Sequence, residues 1–433
     1  MSFKSVLLQR RFLPLFWVQF LGAFNDNLYK NAMVILITFQ LSLSAEQVGL
    51  YITLAAGLFI LPFFLFSSMA GQLADHYPKS ILIRKIKLIE ILIMATGSMG
   101  FLMMQIEWLF LALFLMGTQS AFFGPIKYSI LPEVLDSSHL LRGNALFSGS
   151  TFIAILLGTI MGGMGIMLEN GPQVVSALVM FFSVLGYLLS LYVPNTSLAS
   201  SGVKIDKNIL RSTWQIVQQS RGFQSAFFAV LAISWFWFIG AVLLSQIPSF
   251  VKYTLQADAQ VVTAFLTVFS VGIALGAGSV SWLLKQKVSL RFHAWFLVLM
   301  SLFLVLSVWA AGSVDDVLLS SDSALLNLTA FLSIWPQNLS LLFMFALAFV
   351  GGAYIVPLYT HLQIQTPVGS RARMIAVNNI LNALLMVLSS ILIMVGFSLD
   401  LSLSAMLMIL AMFNLLMASW FLRKVRSHNE VVI

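Results

Sequence analysis

Twelve apolar stretches, each long enough to cross a bilayer as a helix, run through this 433-residue sequence with only short polar breaks between them. They lie at roughly 13–40, 48–74, 81–104, 108–131, 143–168, 173–194, 224–254, 261–284, 291–312, 339–360, 373–397 and 401–422. A helix needs about 20 mainly apolar residues to span the hydrocarbon core. Barrel strands of about 10 residues with alternating polarity do not fit this pattern. A water-soluble fold does not fit either. The chain is 60% hydrophobic and 9% charged, against roughly 25% charged in an ordinary soluble domain. The expected fold class is therefore an all-α polytopic membrane protein with twelve transmembrane helices. With no cysteine, disulfides and thiolate metal sites are excluded.

Charge then orients the spans. Of the 23 Lys and Arg residues, 21 fall on one side: the N-terminal tail (Lys4, Arg10, Arg11), the alternate breaks from Lys79 to Arg373, and the C-terminal tail. Only Lys30 and Lys252 fall elsewhere, inside predicted spans. The other side carries Glu46, Glu107, Glu169, Asp258, Asp315, Asp316, Asp322 and Asp400. Such a split places the basic side and both termini in the cytoplasm, and it makes the net charge of +8 a topology signal and not a nucleic-acid patch. The apolar run after Arg11 is too long for a cleaved leader and reads as the first permanent span.

The longest polar break on the basic side, Asn195 to Gly222, divides the spans six and six. The expected domains are an N-terminal half at 1–194, a linker at 195–222 and a C-terminal half at 223–433. Pro125-Ile126-Lys127-Tyr128 is echoed by Pro357-Leu358-Tyr359-Thr360, and Asn144 by Asn378, at nearly constant offsets of 232 and 234 residues. Parallel repeats related by an axis along the membrane normal would produce this. The segment 313–338 is long and partly apolar, and reads as an interfacial helix on the outer leaflet.

Polar groups inside spans are the functional candidates. Asp26 and Lys30 sit one turn apart in the first span, flanked by Asn25 and Asn27. Intramembrane charges persist only when paired or facing a wet cavity. The two readings are a self-neutralising i,i+4 pair, or an Asp26 that contacts a zwitterionic head group or carries a proton. Asn144, Ser148 and Thr151 make a polar stripe on the fifth span, and Asn378, Asn382 and Ser389 one on the eleventh. These either join helices by hydrogen bonds or line a shared cavity. Gly158 and Gly162 form a small-xxx-small packing pattern, and Lys87 with Glu90 reads as a snorkelling ion pair. No HxxxxD, HExxH, GxSxG or P-loop lysine occurs, and the five histidines are scattered. Enzyme chemistry, an ATP-driven pump, a metal site and any cofactor are therefore not expected.

Gly71-Gln72-Leu73-Ala74-Asp75-His76-Tyr77-Pro78-Lys79 resembles the loop signature of the major facilitator superfamily, with Pro78 in place of the usual second glycine. The resemblance implies a gating role for Gly71, Asp75 and Lys79, which lock the halves on the cytoplasmic side. Gln19 to Asn27, Phe123 to Tyr128 and Arg142 to Leu146 further resemble the bacterial lysophospholipid transporter family, including its acyltransferase-fused members. That resemblance implies a lysophospholipid substrate moved from the outer to the inner leaflet of the inner membrane, possible delivery to a cytoplasmic acyltransferase, and a monomeric carrier. It makes Lys127, otherwise a simple positive-inside charge, a candidate phosphate contact and Tyr128 a candidate substrate residue. In the seventh span, where some relatives carry an arginine, Ser245, Gln246 and Ser249 are the polar groups, with Gln246 the candidate contact. The expected substrate group is thus Asn25, Asp26, Asn27, Lys30, Lys127, Tyr128, Asn144, Ser148, Gln246, Asn378 and Asn382. The competing readings are a proton-coupled carrier of a water-soluble solute and a non-transporting receptor.

Overall fold

Apolar runs of this length have one economical solution in lipid, since a helix satisfies its own backbone, and the computed structural model is helical almost throughout. It describes residues 3–39, 41, 45–196, 206, 208–283, 292–312 and 325–427. The helices are α1 (Phe3–Leu7), α2 (Leu13–Phe39), α3 (Ala45–His76), α4 (Lys79–Met103), α5 (Ile106–Ser129), α6 (Leu131–Val134), α7 (Leu140–Ile166), α8 (Gly171–Ser190), α9 (Ile209–Ser220), α10 (Gln224–Ser249), α11 (Ala259–Leu283), α12 (His293–Ala311), α13 (Leu328–Ser333), α14 (Leu339–Gln365), α15 (Arg371–Ser398) and α16 (Leu403–Ser427). Among the described residues there is no strand, only an isolated bridge between Ala257 and Leu326. Pro62, Pro125, Pro248 and Pro357 lie inside helices, where neighbouring helices in a membrane bundle re-satisfy the freed carbonyls.

Eleven of these helices are long and apolar enough to cross a membrane. The twelfth expected span, α2, has the length at 27 residues but is not among them. Its middle carries Asn25, Asp26, Asn27, Lys30 and Asn31, and protein surrounds much of this polar face. Asn25 is fully buried, and Asn31 donates to the Thr159 carbonyl at 2.7 Å.

The chain divides into two compact units. Unit 1 is Met1–Ser234 with Tyr359–Leu384, and unit 2 is Trp235–Leu358 with Leu385–Ile433. Unit 1 is organised on α2, which packs against α7 and α8. A Cβ on Gly158 would lie 2.2 Å from the Phe24 carbonyl oxygen, and one on Gly162 would lie 2.2 Å from that of Leu28. Only glycine lets the two backbones approach this closely, which is the packing role the spacing implies. In unit 2, α12 packs on α16, with Asn414 donating to the Leu297 carbonyl at 2.8 Å and accepting from the Trp235 indole at 2.9 Å.

Two expectations about the connections need correction. The linker is more than a polar break: it contains α9, whose Asn208 cap accepts from the Arg211 amide at 3.0 Å. Ser212, Ile216 and Ser220 are buried at i, i+4, i+8, and Ser212 bonds to Ser68 and Gln72 of α3. In the 313–338 segment, residues 313–324 fall outside the described residues. The remainder forms only the six-residue α13, capped by Asn327.

Candidate functional site

Asp26 and Lys30 of α2 lie near enough to feel each other's charge but do not form a salt bridge. Asp26 Oδ2 accepts a 2.8 Å hydrogen bond from Ser120 of α5, while the Lys30 ammonium sits 4.3 Å from the centroid of the Phe59 ring. Among the described residues the two form no ion pair within 4.0 Å, unlike the five pairs that do. The i,i+4 neutral pair that their spacing allows is therefore not formed. Both side chains are half-buried. Of the flanking asparagines, Asn25 donates to the Val179 carbonyl at 3.2 Å and Asn27 to its own helix at Ala23, 2.7 Å. Lys127, half-buried on α5, lies 5.2 Å from the Tyr128 ring and close enough to Asp26 and Lys87 to feel both charges. Asp26, Lys30 and Lys127 thus leave polar capacity that protein groups do not fill.

Behind Asp26 lies a second charged group that the sequence reading misassigned. Lys87 and Glu90 are 0% and 1% exposed and pair at 2.6 Å. Snorkelling would bring the lysine head to water, whereas here the ammonium is enclosed. Gln119 donates to the same Glu90 oxygen at 2.9 Å, and Ser120 lies 3.3 Å from Gln119 Oε1. Hydrogen bonds therefore lead from Lys87 through Glu90 to Gln119, and the adjacent Ser120 gives its one proton to Asp26 at the shorter distance. Spacing alone gives no hint of the Glu90–Gln119 and Ser120–Asp26 contacts, which join separate helices.

A different arrangement surrounds Asp75. Its side chain is fully buried and accepts from the Ala372 amide at 3.0 Å, the Arg373 amide at 3.1 Å and the Arg373 Nε at 3.0 Å. These amides open α15, so a carboxylate sits on a helix N-terminus while also pairing with an arginine, both favourable for negative charge. A Cβ on Gly71 would lie 2.7 Å from that of Ala376, so the glycine permits the approach. Lys79, expected to share this lock, instead pairs with Glu133 at 2.6 Å. The cation on Asp75 is Arg373, which the sequence comparison of the loop did not single out.

Asn144 belongs to the same closed region. It donates to Gln363 Oε1 at 2.6 Å and Thr360 Oγ1 at 3.1 Å, and Gln363 returns a 3.1 Å bond to its carbonyl oxygen. Gln363 also donates to the Tyr128 carbonyl at 2.9 Å, and the Tyr128 ring stacks on Tyr359 at 4.3 Å with planes 3° apart. Ser148 is buried beside the Tyr128 hydroxyl. Asn144 thus joins α7 to α14, with both its amide and its carbonyl oxygen bonded to protein. On α15, Asn382 accepts from Ser234 at 2.7 Å, while Asn378 is fully buried with neither amide atom bonded to protein. Gln246 lies in unit 2, donating to its neighbour Ser245 at 3.3 Å. An apolar cavity of about 390 Å³ in unit 2, lined by Val268, Leu332, Trp335 and Phe345 among others, contains none of the candidate residues.

Comparison with known proteins follows the same lines. A lysophospholipid transporter LplT of Photorhabdus laumondii is 27% identical over 298 residues, covering 66% of this chain and 69% of that protein. The LplT of Serratia proteamaculans is 28% identical, covering 64% and 66%, so the chain spans about two thirds of the length of these relatives. Among solved structures, the outward conformation of the transporter FucP superposes with a TM-score of 0.69 at 15% identity, covering 95% and 97% of the two chains. A bacterial homologue of the iron transporter ferroportin gives 0.67 at 16%, covering 96% and 99%. These likenesses establish the fold. The sequence pattern of the Major Facilitator Superfamily matches residues 15–390; the chain belongs to that superfamily and is a multi-pass membrane transporter, not an enzyme.

Proposed function

We propose that this transporter moves lysophospholipids, such as lysophosphatidylethanolamine, from the outer to the inner leaflet of a bacterial inner membrane. The observation that carries the reading is the trio Asp26, Lys30 and Lys127, one anion and two cations within long helices and in no salt bridge among the described residues. Buried charges are costly unless a partner completes them. A zwitterionic phosphodiester head supplies both signs: its phosphate faces the lysines and its ammonium faces Asp26. The names of the similar proteins support the same substrate class.

In this reading the two six-helix halves rock about the site, and Asp75 with Arg373 closes the basic, cytoplasmic side. Arriving lipid is passed to a cytoplasmic acyltransferase, and the carrier works as a monomer. Uptake of labelled lysophosphatidylethanolamine by cells expressing the protein tests the function. Uptake above the vector control is expected, and its absence, with transport of a soluble solute instead, would overturn it. Cysteines replacing Arg211 and Asp400 test the orientation. Only the one at Asp400 should label from outside intact cells.

A further inference from the structure

The Lys87–Glu90 pair lies outside the trio assigned to the head group, yet it is wired to it. The Lys87 ammonium is packed into the helix bundle: a Cβ on Gly22 of α2 would lie 2.8 Å from it and one on Gly186 of α8 3.8 Å, with the Phe123 ring centroid 5.4 Å away. Glu90 Oε2 takes both Lys87 and Gln119, and Glu90 Oε1 has no protein partner. Ser120 has one proton and two acceptors in reach, Asp26 Oδ2 at 2.8 Å and Gln119 Oε1 at 3.3 Å. Asp26 also feels the charges of both Lys87 and Glu90. At Asp26 the charge of Lys87 is opposed, and outweighed, by that of Glu90. Without that charge, Lys87 becomes an internal cation beside the carboxylate a substrate ammonium would need. In a poorly screened interior, a unit charge at such range changes binding by about tenfold or more.

We propose that the Lys87–Glu90 pair is a specificity device: Glu90 shields Asp26 from Lys87, keeping the carboxylate available to the cationic end of the head group, with Gln119 and Ser120 as positioning residues. This rests on the lysophospholipid reading above. It concerns selection between head groups of the same phosphodiester charge, with and without an ammonium.

The test compares uptake of lysophosphatidylethanolamine and lysophosphatidylglycerol by the full-length protein in cells, so that the phosphate contribution cancels in the ratio. Glu90→Gln should lower the ethanolamine-to-glycerol ratio about tenfold. The double variant Glu90→Gln with Lys87→Met should restore it, because both charges are gone. Lys87→Met alone leaves an extra anion near Asp26 and should raise the ratio above that of the double variant. If Glu90→Gln fails to reach the membrane, the comparison of Lys87→Met with the double variant decides. Equal loss of both lipids, or an unchanged ratio across the variants, would overturn the proposal while leaving the functional reading standing. A wild type that carries neither lipid would overturn that reading, and this inference with it.

Discussion

Unit 1 contains two polar regions built on opposite rules. Asp75 and Asn144 are themselves committed to protein: three donors converge on one carboxylate, and two amides exchange bonds. Around Asp26 the carboxylate accepts a single bond from Ser120, and two lysines rest against aromatic rings. The first arrangement holds helices together. The second holds charge in reserve. Burial alone does not distinguish the two regions; the number of protein partners on each carboxylate does.

The largest effect that sharpens this contrast is expected at Asp75. Asp75→Asn removes the charge from a buried pair and puts an amide N–H₂ among backbone donors, a loss of about 3 kcal/mol. Hydrogen exchange at Ala372 and Arg373 should then quicken by about two orders of magnitude. Exchange at the wild-type rate would mean that Asp75 does not hold the start of α15. Next comes Asn144→Leu, which leaves the buried Gln363 Oε1 without its donor and should lower stability by about 1–3 kcal/mol in a detergent melt. The double variant with Gln363→Leu should recover most of that loss, because removing both partners is nearly neutral. A purely additive double variant would break the account of this amide pair. The smallest effect belongs to Asn378, which the sequence offsets align with Asn144. With no protein partner to lose, Asn378→Leu should change stability by less than about 1 kcal/mol. A cost equal to that of Asn144→Leu would erase the difference between the two asparagines.

Much of the scaffold was legible because lipid makes helix length and apolarity inseparable. The expected run at 81–104 matches α4 (79–103) and that at 173–194 matches α8 (171–190) within a few residues. Where expectation fell short, polar residues were buried by protein and not exposed to water. The tenth run was read to residue 360, but α14 continues through Thr360, His361 and Gln363 to Gln365, because those side chains are buried. The amphipathic α9 was invisible to a search for apolar runs. In the candidate site, Asp26 and Lys30 were legible as intramembrane charges. Their partners were not, since Ser120 and Phe59 come from other helices and sequence spacing reports only neighbours on the same helix. The same limit hid Arg373, whose partner Asp75 lies 298 positions away.

The central claim is that Asp26 serves a ligand and not Lys30. Uptake of labelled lysophosphatidylethanolamine by the double variant Asp26→Asn with Lys30→Met, at matched membrane abundance, tests it most directly. Asn keeps the Ser120 hydrogen bond and Met removes the remaining charge, so the protein should fold and insert as the wild type does. The account predicts that transport nonetheless falls at least about tenfold, the effect of one lost charge contact in a poorly screened site. Transport at close to the wild-type rate would contradict it and make the two residues structural.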